Sequence, residues 1–498
     1  MKKIGVVLMV LSFVLPIQVH AGNFGKGDAS GTPGQWYEGL SPSYVDPAKS
    51  PVVFIHGLNS SSHTWWEDND MYQMAYENGF ETAFVDLYPT NNMWDNGRLL
   101  AEKLEEIYNH FGENLIIIGH SKGGIDTQSA LVHYGTDSFV DRVITLSSPH
   151  QGSELANLAY SSWAGWLADI IGGKNDATYS LQTGYMDYFR QQTDPHNSIP
   201  IYTLAGTNWG TFGSSLYWGG LYLSSYGAND GAVTVKSSAL PYSTELQVGK
   251  WNHSEIRTGR STFSYFSDYL YETTEDFQAK NVSAFKTEDY LSADTYLRGG
   301  HYKGKTIETF SVEENAEEIT INWISDQKDS TFTLTDPEGD KWSSFDTKPD
   351  ETIVFEGSFH HTLTVDRPSA GKWKLEAYSP EEHYLLTVQF DSLLNGAFNL
   401  EIGRDLEVSF SKKPPVQAMD RKNVKSVINL EYYKNGKQKS RKVKWDDLDG
   451  TSSQKLANLG EGVYNLTIDL EGKTPRNEKF NRTIVTSVYV DGSGRVIK

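Results

Sequence analysis

The chain has no cysteine among its 498 residues, which excludes disulfide bonds, thiol nucleophiles and metal sites built on thiolates. Its stability must therefore come from the burial of apolar residues, which make up 38% of the chain. Beyond the N-terminus the sequence also lacks any run of about 20 apolar residues, the length that a membrane-spanning helix needs. No glycine-rich dinucleotide fingerprint follows a strand-like segment, so we predict no cofactor.

The N-terminus has the three parts of a secretory signal peptide. Lys2 and Lys3 precede a short apolar run over 4–17, and Val19-His20-Ala21 offers a small-residue cleavage site. The alternative is an uncleaved membrane anchor, but the apolar run is shorter than a membrane-spanning helix needs. We therefore expect residues 1–21 to be removed and the mature protein to be secreted and extracellular.

Positive charge is scarce in the first half of the chain. Residues 22–275 hold 12 Lys and Arg against 28 Asp and Glu, whereas residues 276–498 hold 30 against 36. A surface this acidic would be repelled by nucleic acid and by anionic lipid headgroups. We therefore expect uncharged substrates and no nucleic-acid partner. No feature of the sequence specifies an oligomeric state.

The first half alternates short apolar runs with helical segments. The runs cover residues 51–55, 82–86, 115–118, 143–146 and 201–204. Because they are continuously apolar, they are typical of parallel strands that are covered on both faces. Residues 22–275 are therefore predicted to form an α/β domain with a doubly wound, mostly parallel sheet and an insertion over 153–198.

The second half changes to a period of two. Alternating runs cover residues 318–323, 331–335, 361–365 and 373–377, and turn signals separate them. This pattern is typical of antiparallel sandwiches. We predict two all-β, immunoglobulin-like sandwich domains, at 311–394 and 395–498, with residues 276–310 as a linker or first strand.

A nucleophile motif lies between one apolar run and the helical segment that follows it. Gly119-His120-Ser121-Lys122-Gly123 fits G-x-S-x-G, in which a sharp strand-to-helix turn exposes the serine hydroxyl. The glycines two residues on either side of the serine avoid a backbone clash. An ordinary glycine-rich turn is the alternative, but the strand and helix context favours Ser121 as a nucleophile.

A serine nucleophile needs a base to take its proton and a carboxylate to orient that base. His253 follows a sixth strand-like run, at 245–248, and precedes a helical segment over 261–271, which is where the base belongs. Asp230, which stands 23 residues earlier and follows the run over 201–204, is the best candidate for the acid. Asp-Gly is also an ordinary turn signal, so Asp194 and Glu255 remain alternatives.

An oxyanion hole needs two backbone N–H groups. Lys122, directly after the nucleophile, should supply one, and Leu58, in the loop after the first run, should supply the other. His56 in the same loop is expected to brace it rather than to act as a base.

With these residues assembled, the first half resembles the bacterial secreted lipase and esterase group of the α/β-hydrolases. The matching segments are residues 52–58, 119–124, 148–153, 229–231 and 252–253. The resemblance implies that Ser121, Asp230 and His253 form a catalytic triad. It also implies that the N–H groups of Leu58 and Lys122 form the oxyanion hole.

Two departures from this group matter. Lys122 stands where many such lipases have Met or Leu, and its charge is expected to affect access near the nucleophile. Some members bind a structural calcium partly through an acid just after the catalytic histidine, and Glu255 is near that place. We find no second ligand, so we predict no metal.

The insertion over 153–198 suggests the type of substrate. Its apolar helix face is typical of a mobile lid, although a face packed permanently on the core is an equal alternative. The leading hypothesis is a serine carboxylic-ester hydrolase, a triacylglycerol lipase or carboxylesterase, that acts on lipid-like esters. One alternative is a polyester depolymerase whose β modules contact a surface or polymer. Others are an amidase or thioesterase of the same fold, and a catalytically inert surface-binding protein.

Overall fold

The computed structural model describes residues 30–271, 293–350, 354–395, 398, 400–410, 424–434, 437–446 and 453–497. The predicted signal peptide lies outside the described residues, as do residues 276–292 of the predicted linker or first strand. No helix in the described ranges is long and apolar enough to cross a membrane. We refer to residues 30–271 as the α/β half and to residues 293–497 as the β half.

The α/β half is built on one seven-stranded sheet. Its strands are β1 (Trp36–Glu38), β2 (Val52–Ile55), β3 (Thr82–Val85), β4 (Leu115–His120), β5 (Val140–Leu146), β6 (Ile201–Gly206) and β7 (Thr244–Gly249). Their order is β1-β3-β2-β4-β5-β6-β7, and only β1 among them is antiparallel to its neighbour. Every residue of β2, β3 and β4 is buried, as expected for strands covered on both faces. The predicted α/β class is confirmed.

Helices cover both faces of this sheet. The α-helices of the α/β half are α1 (Met71–Glu77), α2 (Met93–Phe111), α3 (Lys122–Tyr134), α4 (Glu154–Ala159), α5 (Gly165–Ile170), α6 (Asp176–Ser180), α7 (Thr183–Thr193), α8 (Ser215–Leu223) and α9 (Gly259–Phe266). The α2 helix shows why these segments are helical. The Asn92 side chain caps its first N–H groups, one apolar stripe faces the sheet, and Gly112 ends it in the left-handed conformation at φ 74°.

The β half begins with an antiparallel sheet. Its strands are β8 (Thr295–Val312), β9 (Glu318–Ser325), β10 (Thr331–Thr335), β11 (Lys341–Trp342), β12 (Asp346–Pro349), β13 (Phe359–Asp366) and β14 (Gly371–Asp391). The long strands β8 and β14 pair along most of their length, with an irregularity between Ser379 and Glu382. In the core of this sheet the Trp323 ring stacks on Tyr384 at 4.0 Å between centroids.

Two further antiparallel sheets complete the β half. Their strands are β15 (Leu400–Ile402), β16 (Glu407–Phe410), β17 (Lys425–Lys434), β18 (Lys437–Trp445), β19 (Ser453–Lys455), β20 (Gly462–Lys473), β21 (Lys479–Val490) and β22 (Val496–Ile497). The strand orders are β15-β16-β19 and β18-β17-β20-β21-β22. One apolar cluster fills the space between them. The predicted all-β class of the second half is confirmed.

The β half packs on the insertion of the α/β half through hydrogen bonds and an apolar cluster. The Asn465 side chain donates to the Asn157 carbonyl (2.8 Å), and the Ser487 hydroxyl donates to the Asn157 side chain (2.7 Å). The Gly184 N–H donates to the Ser487 hydroxyl (2.9 Å). Beside these bonds, Leu155, Leu158 and Leu167 of the insertion share a cluster with apolar residues of the β half. The β half therefore covers these leucines of the apolar helix face found in the sequence, whereas Trp166 and Ile170 of the same face are exposed.

Replacing Gly184 with Ala should loosen this contact. A Cβ at Gly184 would lie 2.4 Å from the Val488 backbone, so α7 and β21 would have to move apart. We expect a loss of about 1–3 kcal/mol, the usual cost of overpacking, and faster cleavage between the halves in limited proteolysis. Gly492→Ala is the control, since nothing lies within 4 Å of its Cβ position. Equal behaviour of the two variants would show that the contact tolerates the methyl group.

Candidate active site

Ser121 occupies a strained turn between β4 and α3. Its backbone adopts φ 53° and ψ −130°, a conformation that non-glycine residues rarely take. Its N–H donates to the Leu146 carbonyl of the neighbouring strand at 3.0 Å. A Cβ on Gly119 would lie 2.8 Å from the Gly124 nitrogen, and one on Gly123 would lie 2.5 Å from the His56 carbonyl oxygen. The glycines of the motif are therefore required by close backbone approach.

The structure brings the predicted acid and base together in loops after β6 and β7. Nδ1 of His253 lies 2.8 Å from Oδ2 of Asp230, and the His253 N–H donates to the Asp230 carbonyl. The other oxygen of Asp230 accepts N–H groups from Ala232 and Val233, so the fully buried carboxylate is held in place. Within the described residues, Nε2 of His253 is buried without a hydrogen-bond partner. Because Nδ1–H faces the carboxylate, Nε2 is free to accept a proton.

His120 supports the base from the motif itself. Its Nε2 lies 2.9 Å from the His253 carbonyl, and the two rings are 4.7 Å apart. Burial holds the pKa of His120 well below its usual value, so the ring is neutral and Nε2–H donates. The contact fixes the loop that carries His253.

The predicted oxyanion residues flank the nucleophile. Leu58 lines the same cavity as Ser121, and a Cβ on Gly57 would lie 2.8 Å from the Ser121 Cβ. His56 bonds the Gly57 carbonyl through Nδ1 (2.8 Å) and accepts the Leu87 N–H through Nε2 (2.9 Å). Burial lowers its pKa, so the ring is a neutral brace for the loop. Lys122 is the first residue of α3, where a backbone N–H has no acceptor within the helix.

The Lys122 side chain does not enter the cavity. It is 1% exposed, and its ammonium pairs with Asp126 one turn along α3, with Nζ and Oδ1 separated by 2.6 Å. Asp126 also accepts the Asn96 side chain at 3.0 Å. Burial lowers the pKa of Lys122 and raises that of Asp126, while their mutual attraction opposes both shifts. The unusual lysine thus anchors the start of α3 by a buried ion pair.

The cavity at Ser121 is small, and one residue of the β half lines it together with residues of the α/β half. It measures about 20 Å³ and is lined by Leu58, Ser121, Pro149, Ser153, Leu155, Ala156, Thr178, Leu181, Ala232, Val233 and Val354. One water molecule needs about 10–15 Å³, and ligand pockets usually exceed about 300 Å³. Ser121 is accordingly only 2% exposed. No acyl chain fits beside Ser121 in this arrangement.

Val354 belongs to a turn between β12 and β13 that we call the capping turn (residues 354–358). The Phe355 ring packs edge-on against Trp218 of α8, at 5.6 Å between centroids. The backbone at Val354 also approaches Gly173 so closely that a Cβ there would lie 2.4 Å from the Val354 carbonyl. At the base of the turn, Nε2 of His360 bonds the Asp350 carboxylate at 2.6 Å, with both side chains fully buried. The capping turn is therefore firmly held.

A half-buried glutamate, with one buried carboxylate oxygen, stands next to the residues that line the cavity. Oε2 of Glu154, the first residue of α4, has no hydrogen-bond partner within the described residues. Burial raises the pKa of Glu154 to about 7. The group is therefore largely protonated in mildly acidic solution.

The alternative acids lie in other surroundings. Asp194 pairs with Arg190 at 3.1 Å and accepts the Tyr242 hydroxyl, and Glu255 accepts the Asn252 N–H.

Among the described residues, the one group of three acids close enough to share a metal ion is Asp336, Glu338 and Asp340, in the turn between β10 and β11. In that turn one Asp336 oxygen already accepts three backbone N–H groups.

Two features of the site were not predicted from the sequence. The capping turn carries no motif, and Val354 reaches Ser121 from 233 positions further along the chain. The Lys122–Asp126 pair could have been predicted from the sequence, because opposite charges four residues apart on a helix are neighbours.

Comparisons with known proteins show what the chain is similar to. The sequence profile of the PGAP1-like alpha/beta domain family matches residues 46–161. The chain is 42% identical to the Bacillus licheniformis lipase BlEst2 in propeptide form, over 94% of this chain and 99% of that one, with a TM-score of 0.83. It is 54% identical to the mature form of that lipase, over 48% and 99% of the two chains (TM-score 0.47). The metagenomic carboxyl esterase MGS0156 is 18% identical over 46% and 77% (TM-score 0.36). No curated protein sequence matches the chain.

Removing the Lys122 side chain should leave the buried carboxylate of Asp126 without its ion-pair partner. We expect Lys122→Met to lower the free energy of unfolding by about 3–5 kcal/mol, because a buried charge loses its partner. The double variant Lys122→Met with Asp126→Leu should recover most of this loss. Urea unfolding of both variants measures the difference. If the double variant is as unstable as the single one, the pair is not what anchors α3.

Proposed function

The chain belongs to the lipase and esterase group of the α/β-hydrolases, and we propose that it hydrolyses carboxylic esters through an acyl-enzyme on Ser121. One observation carries the proposal: Asp230 binds Nδ1 of His253 and leaves Nε2 buried and free. A histidine in this state can accept the serine proton as the hydroxyl attacks. The strained turn keeps the Ser121 hydroxyl at the end of β4, where the attack takes place.

The proposed reaction has two halves. Ser121 Oγ bonds to the ester carbonyl carbon, its proton passes to Nε2 of His253, and the carbonyl oxygen becomes an oxyanion. The N–H groups of Leu58 and Lys122 stabilise that charge. His253 then returns the proton to the leaving alcohol, which leaves Ser121 acylated. Water, deprotonated by His253, releases the acid by the same steps in reverse order.

The apolar surface around the site supports a lipid-like ester as substrate. Leu155 lines the cavity and also belongs to the apolar cluster that the two halves share. On the α/β side this cluster includes Leu158, Leu167, Trp218 and Leu223. If the β half were absent, these side chains would form an exposed apolar face beside Ser121. Such a face suits an acyl chain better than a small, water-soluble ester.

We further propose that the intact chain is a precursor in which the β half blocks the active site. Val354 fills the space beside Ser121, and the remaining cavity of about 20 Å³ admits no acyl group. The relative that matches nearly the whole chain is described as a propeptide form. Proteolytic removal of the β half would open the cavity, and the predicted signal peptide places this event outside the cell.

The triad assignment is tested by single substitutions in the protease-trimmed enzyme, with p-nitrophenyl acetate, octanoate and palmitate as substrates. We expect Ser121→Ala to abolish turnover and Asp230→Asn to lower kcat by about 10⁴-fold, since the histidine tautomer is no longer fixed. Asp194→Asn is the matched control and should keep full activity. Turnover that survives in Ser121→Ala would refute the serine mechanism.

The blocking role of the capping turn is tested with the intact chain. We expect the double variant Val354→Ala with Phe355→Ala to raise hydrolysis of p-nitrophenyl acetate at least tenfold, because the space beside Ser121 opens. Val365→Ala, a similar truncation on β13 outside the cavity, is the control and should change nothing. An intact wild-type chain that is already as active as the trimmed enzyme would show that the β half does not block the site.

A further inference from the structure

A basic segment stands out in this acidic chain. Residues 421–445 hold nine Lys and Arg and one acid, Glu431, in a protein with a formal net charge of −20. The described part of this segment forms β17 and β18. Five of the nine residues of β18 are basic: Lys437, Lys439, Arg441, Lys442 and Lys444. Positive charge is thus concentrated on one strand.

The position of β18 exposes these charges. In the described part of the chain β18 pairs only with β17, so it is the outer strand of its sheet. Residues 437–442 are all exposed. Because side chains alternate along a strand, Lys437, Lys439 and Arg441 share one face, and residues two apart are separated by about 7 Å. The remaining two lysines project to the opposite face, so the edge is basic on both sides.

The described carboxylates near the strand are Glu431, Glu461 and Asp446, which directly follows its last residue. Glu431, directly opposite on β17, is buried and accepts the side chains of Gln438 and Ser440. Glu461 pairs with Lys434 at 2.9 Å. Among the described residues, no carboxylate forms an ion pair with any of the five basic side chains of β18. A lysine or two would suffice to keep an edge strand from pairing with another sheet, and five exceed that need.

We propose that the β18 edge binds a linear polyanion with phosphodiester groups in its backbone, a polymer of glycerol phosphate being the simplest example. A row of cations about 7 Å apart matches an extended chain that carries one charge in each repeat. The strand presents no exposed aromatic ring on which a nucleic-acid base could stack and no exposed apolar residue that could enter a lipid bilayer. The acidic α/β half repels the same polymer, so binding is confined to this edge.

The test measures binding of poly(glycerol phosphate) to the intact chain by isothermal titration calorimetry at increasing NaCl concentration. The variant carries Lys437→Gln, Lys439→Gln and Arg441→Gln, three exposed positions outside any apolar cluster. We expect it to bind at least tenfold more weakly, with a slope of log K against log salt concentration reduced by about 2. The control carries Lys303→Gln, Lys305→Gln and Lys374→Gln, which are exposed and paired with Glu381 or Glu376, and should bind like the wild type.

Several results would overturn the proposal. Absence of binding by the wild type at low ionic strength would do so, and self-association of the β18 variant would then show that the charges serve only to protect the edge. If the control variant binds the polymer as weakly as the β18 variant, binding depends on the overall charge of the protein and not on this edge. Tighter binding of single-stranded DNA, or of phosphatidylglycerol vesicles, would assign the edge to another partner. None of these readouts uses ester turnover, so the result is independent of the proposed catalysis.

Discussion

The backbone of Ser121 is the constraint on which the rest of the site depends. A residue at φ 53° and ψ −130° costs of order 1–3 kcal/mol and persists only where its surroundings enforce it. The enforcement comes from close packing, because Gly57, Gly119 and Gly123 each stand where a Cβ would meet backbone or the serine itself. The buried pair of Lys122 and Asp126 holds the first turn of α3 behind the serine. Strain at the nucleophile is therefore balanced by rigid neighbours on three sides.

This constraint explains why so much of the α/β half could be predicted from the sequence. A strained turn leaves its mark in a few consecutive residues, as Gly119 to Gly123 do, and the strand before it is continuously apolar because it is buried on both faces. The acid and base follow the same rule, since each stands in a loop after a strand of the sheet. Their meeting at 2.8 Å follows from the position of β6 and β7 as neighbours in the sheet, an order that was not predicted from the sequence.

The capping turn could not be predicted, because its role leaves no pattern in consecutive residues. Val354 lines the cavity at Ser121 through the docking of two halves, and such docking depends on many weak contacts spread over the chain. Asn157, Asn465 and Ser487 illustrate this, because each is an ordinary polar residue in sequence, yet all three are buried and Asn465 and Ser487 donate hydrogen bonds to Asn157 across the contact. The helix face over 155–167 was recognised as apolar, but the pattern gave no indication of what covers it. Long-range pairing of this kind leaves no local signature.

The cores of the two halves show how a cysteine-free chain can hold an active site and its cover at once. Two apolar clusters flank the seven-stranded sheet, and both consist only of residues of the α/β half. The β half has its own clusters, and the shared cluster lies around α4, α5 and α8. The elements that place Ser121, Asp230 and His253 therefore rest on cores to which the β half contributes nothing. Because stability and coverage come from different contacts, the cover can be lost while the geometry of the site is kept.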